Sequence, residues 1–116
     1  MTLKFKLLVL TFFVNAFVPA SAIDFDKVHL ETEHVAGNVS MIKMVGGHAS
    51  NIGVIAGDEG ILIADSQYDQ MTKRVMESIN KISDSPVRYL INTHYHGDHT
   101  GGNENFAKLG GDHRRP

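Results

Sequence analysis

Asn92-Thr93-His94-Tyr95-His96-Gly97-Asp98-His99-Thr100-Gly101-Gly102-Asn103 decides how the rest of the chain is read. It follows the apolar run Val87-Arg88-Tyr89-Leu90-Ile91, so four metal donors, His94, His96, Asp98 and His99, crowd into six positions at the exit of a predicted strand. In extended backbone side chains alternate faces, which starts His94, His96 and Asp98 off on one side. Gly97 lets the backbone curl there, bringing the adjacent Asp98 and His99 toward a second centre. Imidazole and carboxylate donors suit zinc or a similar borderline first-row ion. A single histidine would read as an ordinary loop residue, whereas the spacing of the whole set predicts a metal site.

Upstream of this stretch, residues 68–82 place Tyr68, Met71, Val75, Ile79 and Ile82 three or four apart, with Lys73, Arg74, Glu77, Asn80 and Lys81 elsewhere. That spacing predicts an amphipathic helix with one face on a sheet. Met71 and Met76 read as core filler, and Ser83-Asp84-Ser85-Pro86 ends the helix. Ile61-Leu62-Ile63-Ala64 before the helix and residues 87–91 after it are apolar enough for buried strands. Together they form a βαβ unit with parallel strands, whose functional groups belong at the carboxyl ends where Asp65 and His94 fall.

Further back, residues 28–33 alternate as an edge strand, Gly37-Asn38 marks a turn, and residues 39–45 form a second strand of the same hairpin. His29 and His34 are solvent-face residues in this reading. Gly46-Gly47-His48-Ala49-Ser50-Asn51 is a polar connection into Ile52-Gly53-Val54-Ile55-Ala56, which pairs through the tight turn Gly57-Asp58-Glu59-Gly60 with residues 61–64. Past the donor cluster, Asn103 caps a short helix through Ala107, with Gly110 ending it.

Residues 92–103 resemble the signature of the metallo-β-lactamase superfamily, and the similarity runs back through residues 57–65 and forward to about Leu109. The resemblance implies an α/β (α+β) chain forming the N-terminal half of an αββα sandwich over residues 23–109. It implies that His94 and His96 bind one zinc, that Asp98 with His99 binds a second, and that the complete fold holds two ions. A hydroxide between them would attack the carbonyl of a β-lactam, lactone or thioester, and Asp98 would act catalytically by orienting that nucleophile. Asp65 has two readings: a carboxylate that orients the donor loop, as the resemblance implies, or an N-terminal cap for the next helix. His48 belongs to a loop that overhangs the site in similar proteins, so it either touches substrate or is an ordinary loop histidine.

The family draws further ligands from its second half, whereas only seventeen residues follow His99. Residues 110–116 are unpatterned, and Asp112 and His113 stand outside the expected ligand set. The tail reads as a truncation or frameshift. The alternative to a zinc-dependent hydrolase is therefore a non-catalytic fragment that binds metal weakly or needs a partner, such as a second copy, to fold. An uncovered sheet in such a piece invites self-association.

Lys4 and Lys6 ahead of the apolar residues 7–18, with Ala20-Ser21-Ala22 behind, predict a secretory signal peptide over residues 1–22 and export to a bacterial periplasm. Twelve residues interrupted by Asn15 fall short of the roughly 20 that a membrane span needs. Removing Lys4 and Lys6 with the leader takes the formal charge from −2 to −4, mildly acidic and without a basic block. That balance argues against nucleic acid as a partner, and the small-molecule substrate expected here is what the family resemblance implies. The chain has no cysteine, so its stability comes from a core, a metal or a partner rather than from disulfides.

Overall fold

Period-two alternation along the first half of the chain builds strands that bury one face only. In a computed structural model, which describes residues 23–47 and 50–109, β1 (His29–Ala36) and β2 (Val39–Val45) pair antiparallel around Gly37-Asn38. Strand β3 (Ile52–Gly57) continues the meander, β4 (Gly60–Ala64) returns beside it, and β5 (Val87–Ile91) joins parallel to β4. The strands lie in sequence order in one five-stranded sheet. The predicted leader, His48 and the tail beyond Leu109 lie outside the described residues.

Helix α1 (Thr72–Ile82) makes the crossover from β4 to β5, and its apolar stripe sets which sheet face is buried. Val75 and Ile79, with Met71 just before the helix, close over Ile42, Ile52, Val54, Ile61 and Ile63, and all eight are fully buried. Each such aliphatic side chain contributes about 1.5–3 kcal/mol relative to exposure. Phe106 of a later short helix, α3 (Asn103–Leu109), joins the same core. Arg74 ties the N-terminal lead-in to α1: its guanidinium donates to the carbonyl oxygens of Phe25, at 2.9 Å, and Val28.

Three boundaries differ from the sequence reading. β1 starts at His29 rather than Val28 and runs on to Ala36, because the hairpin keeps pairing past Glu33 through a bulge between His34 and Ala36. The helix predicted from residue 68 begins at Thr72, preceded by a 3-10 turn over Asp69–Met71. Tyr68 stays extended, at φ −70 and ψ 151, so no helix can propagate through it. The last helix extends to Leu109 rather than stopping at Ala107. Among the described residues no helix is long and apolar enough to cross a membrane.

Candidate metal centre

Parallel pairing of β4 with β5 brings their carboxyl ends side by side, which sets Asp65 next to the segment that leaves Ile91. The Asp65 amide donates to the Ile91 carbonyl at 2.7 Å. Beyond Asn92 the chain is irregular through His96, then residues Gly97–Thr100 form a single helical turn, α2. Asp98 therefore does not share a strand face with His94 and His96, as alternation predicted. It sits in the first turn of α2 beside His99. Nor does Gly97 curl through the left-handed region, which among the described glycines is used only by Gly37, Gly46 and Gly60.

The four donors gather as two pairs. His94 Nε2 lies 3.0 Å from His96 Nδ1, and His99 Nε2 lies 3.3 Å from Asp98 Oδ2. The His94 and His99 rings approach to 3.8 Å between centroids, so the pairs are neighbours. Tetrahedral zinc with Zn–N near 2.0–2.1 Å spaces adjacent ligand atoms about 3.3 Å apart, so each pair is set close to one edge of such a shell. Among the described residues no three His, Cys, Asp or Glu side chains converge on one ion position. Each pair thus fits zinc chemistry as a two-donor half of a site.

Asp65 lies beneath these donors, its side chain 5% exposed. It accepts from the Thr93 amide at 2.8 Å, from the Thr93 hydroxyl at 2.8 Å and from His99 Nδ1 at 2.7 Å. Burial pushes the carboxyl up, but the Thr93 amide, His99 and the Thr93 hydroxyl together outweigh it and hold the group below the usual carboxylate range. Counting protons assigns the rings. Thr93 has one hydroxyl proton, given to Asp65, so its oxygen accepts from His94 Nδ1 at 3.1 Å. His99 Nδ1 likewise donates to Asp65, so in the neutral, ligating form of each ring Nε2 is the lone pair turned toward its pair partner. No side chain caps the 3-10 turn or α1, so Asp65 does not occupy the helix-cap position that the sequence left open.

The segment after Asp65 is buried and strained. Asp65 and Gln67 hold φ of 70 and 61, a region costly for residues with a Cβ, and Ser66 and Gln67 are fully buried. What holds them there is the far side of the donor loop. The Ser66 amide donates to the His99 carbonyl at 2.9 Å, the Gly102 amide to the Gln67 carbonyl at 2.7 Å, and the Ser66 hydroxyl to Asn103 Oδ1 at 2.7 Å. Asn92 and Asn103 clasp each other, and Asn92 also donates to the His99 carbonyl. A Cβ on Gly102 would collide with the Ser66 carbonyl oxygen, and one on Gly101 would lie 2.7 Å from that of Gly97, which explains the glycine pair after Thr100.

With the geometry in place, comparison with known proteins gives the family. A sequence profile described as the Metallo-beta-lactamase superfamily matches residues 45–115, more than half of the chain. This chain belongs to the metallo-β-lactamase superfamily. A linear primary-alkylsulfatase of Pseudomonas sp. (strain ATCC 19151) is 36% identical over 56 residues, covering 47% of this chain and 10% of the relative. BJP-1, a subclass B3 metallo-β-lactamase of Bradyrhizobium japonicum, superposes with a TM-score of 0.62 at 26% identity over 73% of this chain and 32% of its own. The MIM-2 metallo-β-lactamase superposes at 0.57 with 31% identity over 67% of this chain and 29% of its own. The chain thus spans about a third of these superfamily structures and a tenth of the curated relative.

The superfamily motif carries the donors, but Thr93, Ser50, Ser66 and Gln67 were not visible as site residues. Thr93 directly precedes His94, and a hydroxyl at that position was the one signal available. Ser50 and Gln67 are linked to the site only through the fold: Gln67 Nε2 donates to the Ser50 carbonyl and, at 2.9 Å, to its hydroxyl. His29 and His34 lie far along β1, exposed as expected, with His34 Nε2 on the Gly37 carbonyl at 3.0 Å. Asp112 and His113, like His48, fall outside the described residues.

Proposed function

We propose that this chain supplies half the ligands of a two-zinc hydrolase centre, with His94 and His96 on one ion and Asp98 and His99 on the other. The observation that carries the reading is the pairing of donors at 3.0 and 3.3 Å over Asp65, which orients His99 directly and, through Thr93, His94. Zinc bound there would supply Lewis acidity and lower the pKa of a coordinated water to about 7. The protein groups do the rest. Asp65 and Thr93 hold the Nδ1 protons of His99 and His94, keeping both Nε2 lone pairs available. The free oxygen of Asp98 serves as the proton acceptor that orients the nucleophile against a carbonyl.

The substrate class is an acyl compound of the β-lactam, lactone or thioester kind, and the alkylsulfatase relative adds a sulfate ester to the panel worth assaying. Remaining ligands come from outside the described residues. The leader pattern of residues 1–22 supports export to a bacterial periplasm, and cleavage after Ala22 would appear as the matching loss of mass in the exported protein. Neither nucleic acid nor a membrane is the partner in this reading.

The deciding experiment titrates the full chain with cobalt(II) as a zinc surrogate and assays hydrolysis of a chromogenic β-lactam, a lactone, a thioester and an alkyl sulfate, with and without chelator. His94→Ala with His96→Ala is expected to remove one ion, Asp98→Ala the other, and either to lower turnover by more than about 100-fold. Hydrolysis that persists at full rate in the chelator, or a chain that takes up no metal, overturns the reading.

A further inference from the structure

We propose that Ser50 and Gln67 form a positioning pair that sets where Asp98 stands in the metal cluster, tying the loop ahead of β3 to that centre. The proposal rests on the two-metal reading above and names part of what makes its second site.

The argument begins with a missing helical partner. In a continuing helix the Asp98 carbonyl would receive the amide four residues on, that of Gly102. Here the Gly102 amide donates instead to the Gln67 carbonyl at 2.7 Å, because α2 is a single turn and the chain swings down onto the buried 65–67 segment. The Asp98 carbonyl is satisfied from elsewhere: the Ser50 hydroxyl donates to it at 2.5 Å, across 48 residues of sequence.

That hydroxyl has a fixed direction. Gln67 Nε2 commits its two hydrogens to Ser50, one to the carbonyl oxygen and one to Oγ at 2.9 Å, so the hydroxyl accepts from Gln67 and its own proton is free for Asp98. Gln67 therefore acts twice. Its backbone carbonyl takes the amide that Asp98 would otherwise use, and its side chain aims the replacement donor. It does so fully buried and at φ 61, with its Oε1 unpartnered among the described residues, an arrangement of little benefit to packing alone. The backbone of Asp98 is thus held from the β3 side, while Asp65 and Ser66 hold neighbouring His99 from beneath. Both donors of the second pair are fixed from the 65–67 segment, His99 directly by Asp65 and Ser66 and Asp98 by Gln67 through Ser50.

The test is a cobalt(II) titration of the full chain, followed by visible absorption and paired with a thermal melt. Asp98→Asn marks which band belongs to the second ion. Ser50→Ala is expected to weaken that ion's binding about 10–100-fold, to leave the His94/His96 ion unchanged, and to keep the melting temperature. Ser50→Thr, which retains the hydroxyl, restores the affinity. Ser50 is only partly buried, so this variant folds even if Gln67→Leu does not. The proposal fails if Ser50→Ala binds both ions like the parent protein, or if both affinities fall together with the melting temperature. A parent chain that binds no cobalt at all instead sinks the two-metal reading, and this proposal with it.

Discussion

Asp65 concentrates the site's electrostatics in one residue. It is nearly buried, carries a left-handed φ, and accepts three hydrogen bonds that outweigh the cost of its burial. Because the folded-state pKa lies below the unfolded value of about 3.9, Asp65 binds fewer protons folded than unfolded at low pH. Its contribution is complete above that unfolded value and is lost as pH falls through the folded one. The urea midpoint is therefore expected to drop below about pH 4. Glu33 and Glu104 are also held low, by hydrogen bonds and charge from Lys43 and Lys108, but those pairs are exposed and weigh less. Asp65→Asn should flatten much of the acid slope and cost about 1–3 kcal/mol at neutral pH, read from urea melts across pH. An acid slope identical in the variant would assign it to the exposed glutamates instead.

At the scale of elements, α1 does most of the organising. It spans the parallel crossover, and Val75 and Ile79 seal the only sheet face the described helices cover. Ile79→Ala is expected to cost about 2–5 kcal/mol, whereas Lys81→Ala on the outer face should stay within about 0.5 kcal/mol. Equal effects in chemical melts would mean that α1 is not the core element described. This helix and the strands could be read from sequence because periodicity is a property of neighbours: Val75 and Ile79 announce a face without reference to anything distant. The spatial clustering of His94, His96, Asp98 and His99 was legible for the same reason, since they stand within six positions of the chain. What escaped was long-range. The strained turn at Asp65 and Gln67 exists because Ser66 and Gln67 find partners in His99, Gly102 and Asn103, and no local propensity calls for positive φ there. The same cause delayed the start of α1 past Tyr68 and set Asp98 in a helical turn where alternation put it on a strand.

At the scale of the molecule, the sheet's two faces are unequal. The register puts Ile55 opposite Leu62, Leu62 opposite Tyr89 and Ala64 opposite Ile91, all on the face away from α1. Ile55, Tyr89 and Ile91 are 41%, 59% and 53% exposed, and among the described residues no strand pairs with the outer edge of β5. The β1 side of that face is different in kind: Glu31 and Glu33 stand opposite Lys43 and Met41, and such charges resist edge-to-edge pairing. Contiguous apolar surface beside an open edge favours association, and it is less broken by charge on the β3–β5 side than on the β1–β2 side, where exposed Val35 and Val45 are interspersed with Glu31, Glu33 and Lys43. The described domain is therefore expected to self-associate as concentration rises, through this face rather than through β1. Tyr89→Lys with Ile91→Lys should shift sedimentation toward monomer and leave the melting temperature nearly unchanged, since neither residue belongs to the buried core. Lysine at Glu31 and Glu33 should have no such effect. A parent protein that sediments as a monomer at high concentration would show that this face is not sticky enough to drive assembly, however apolar its residues are.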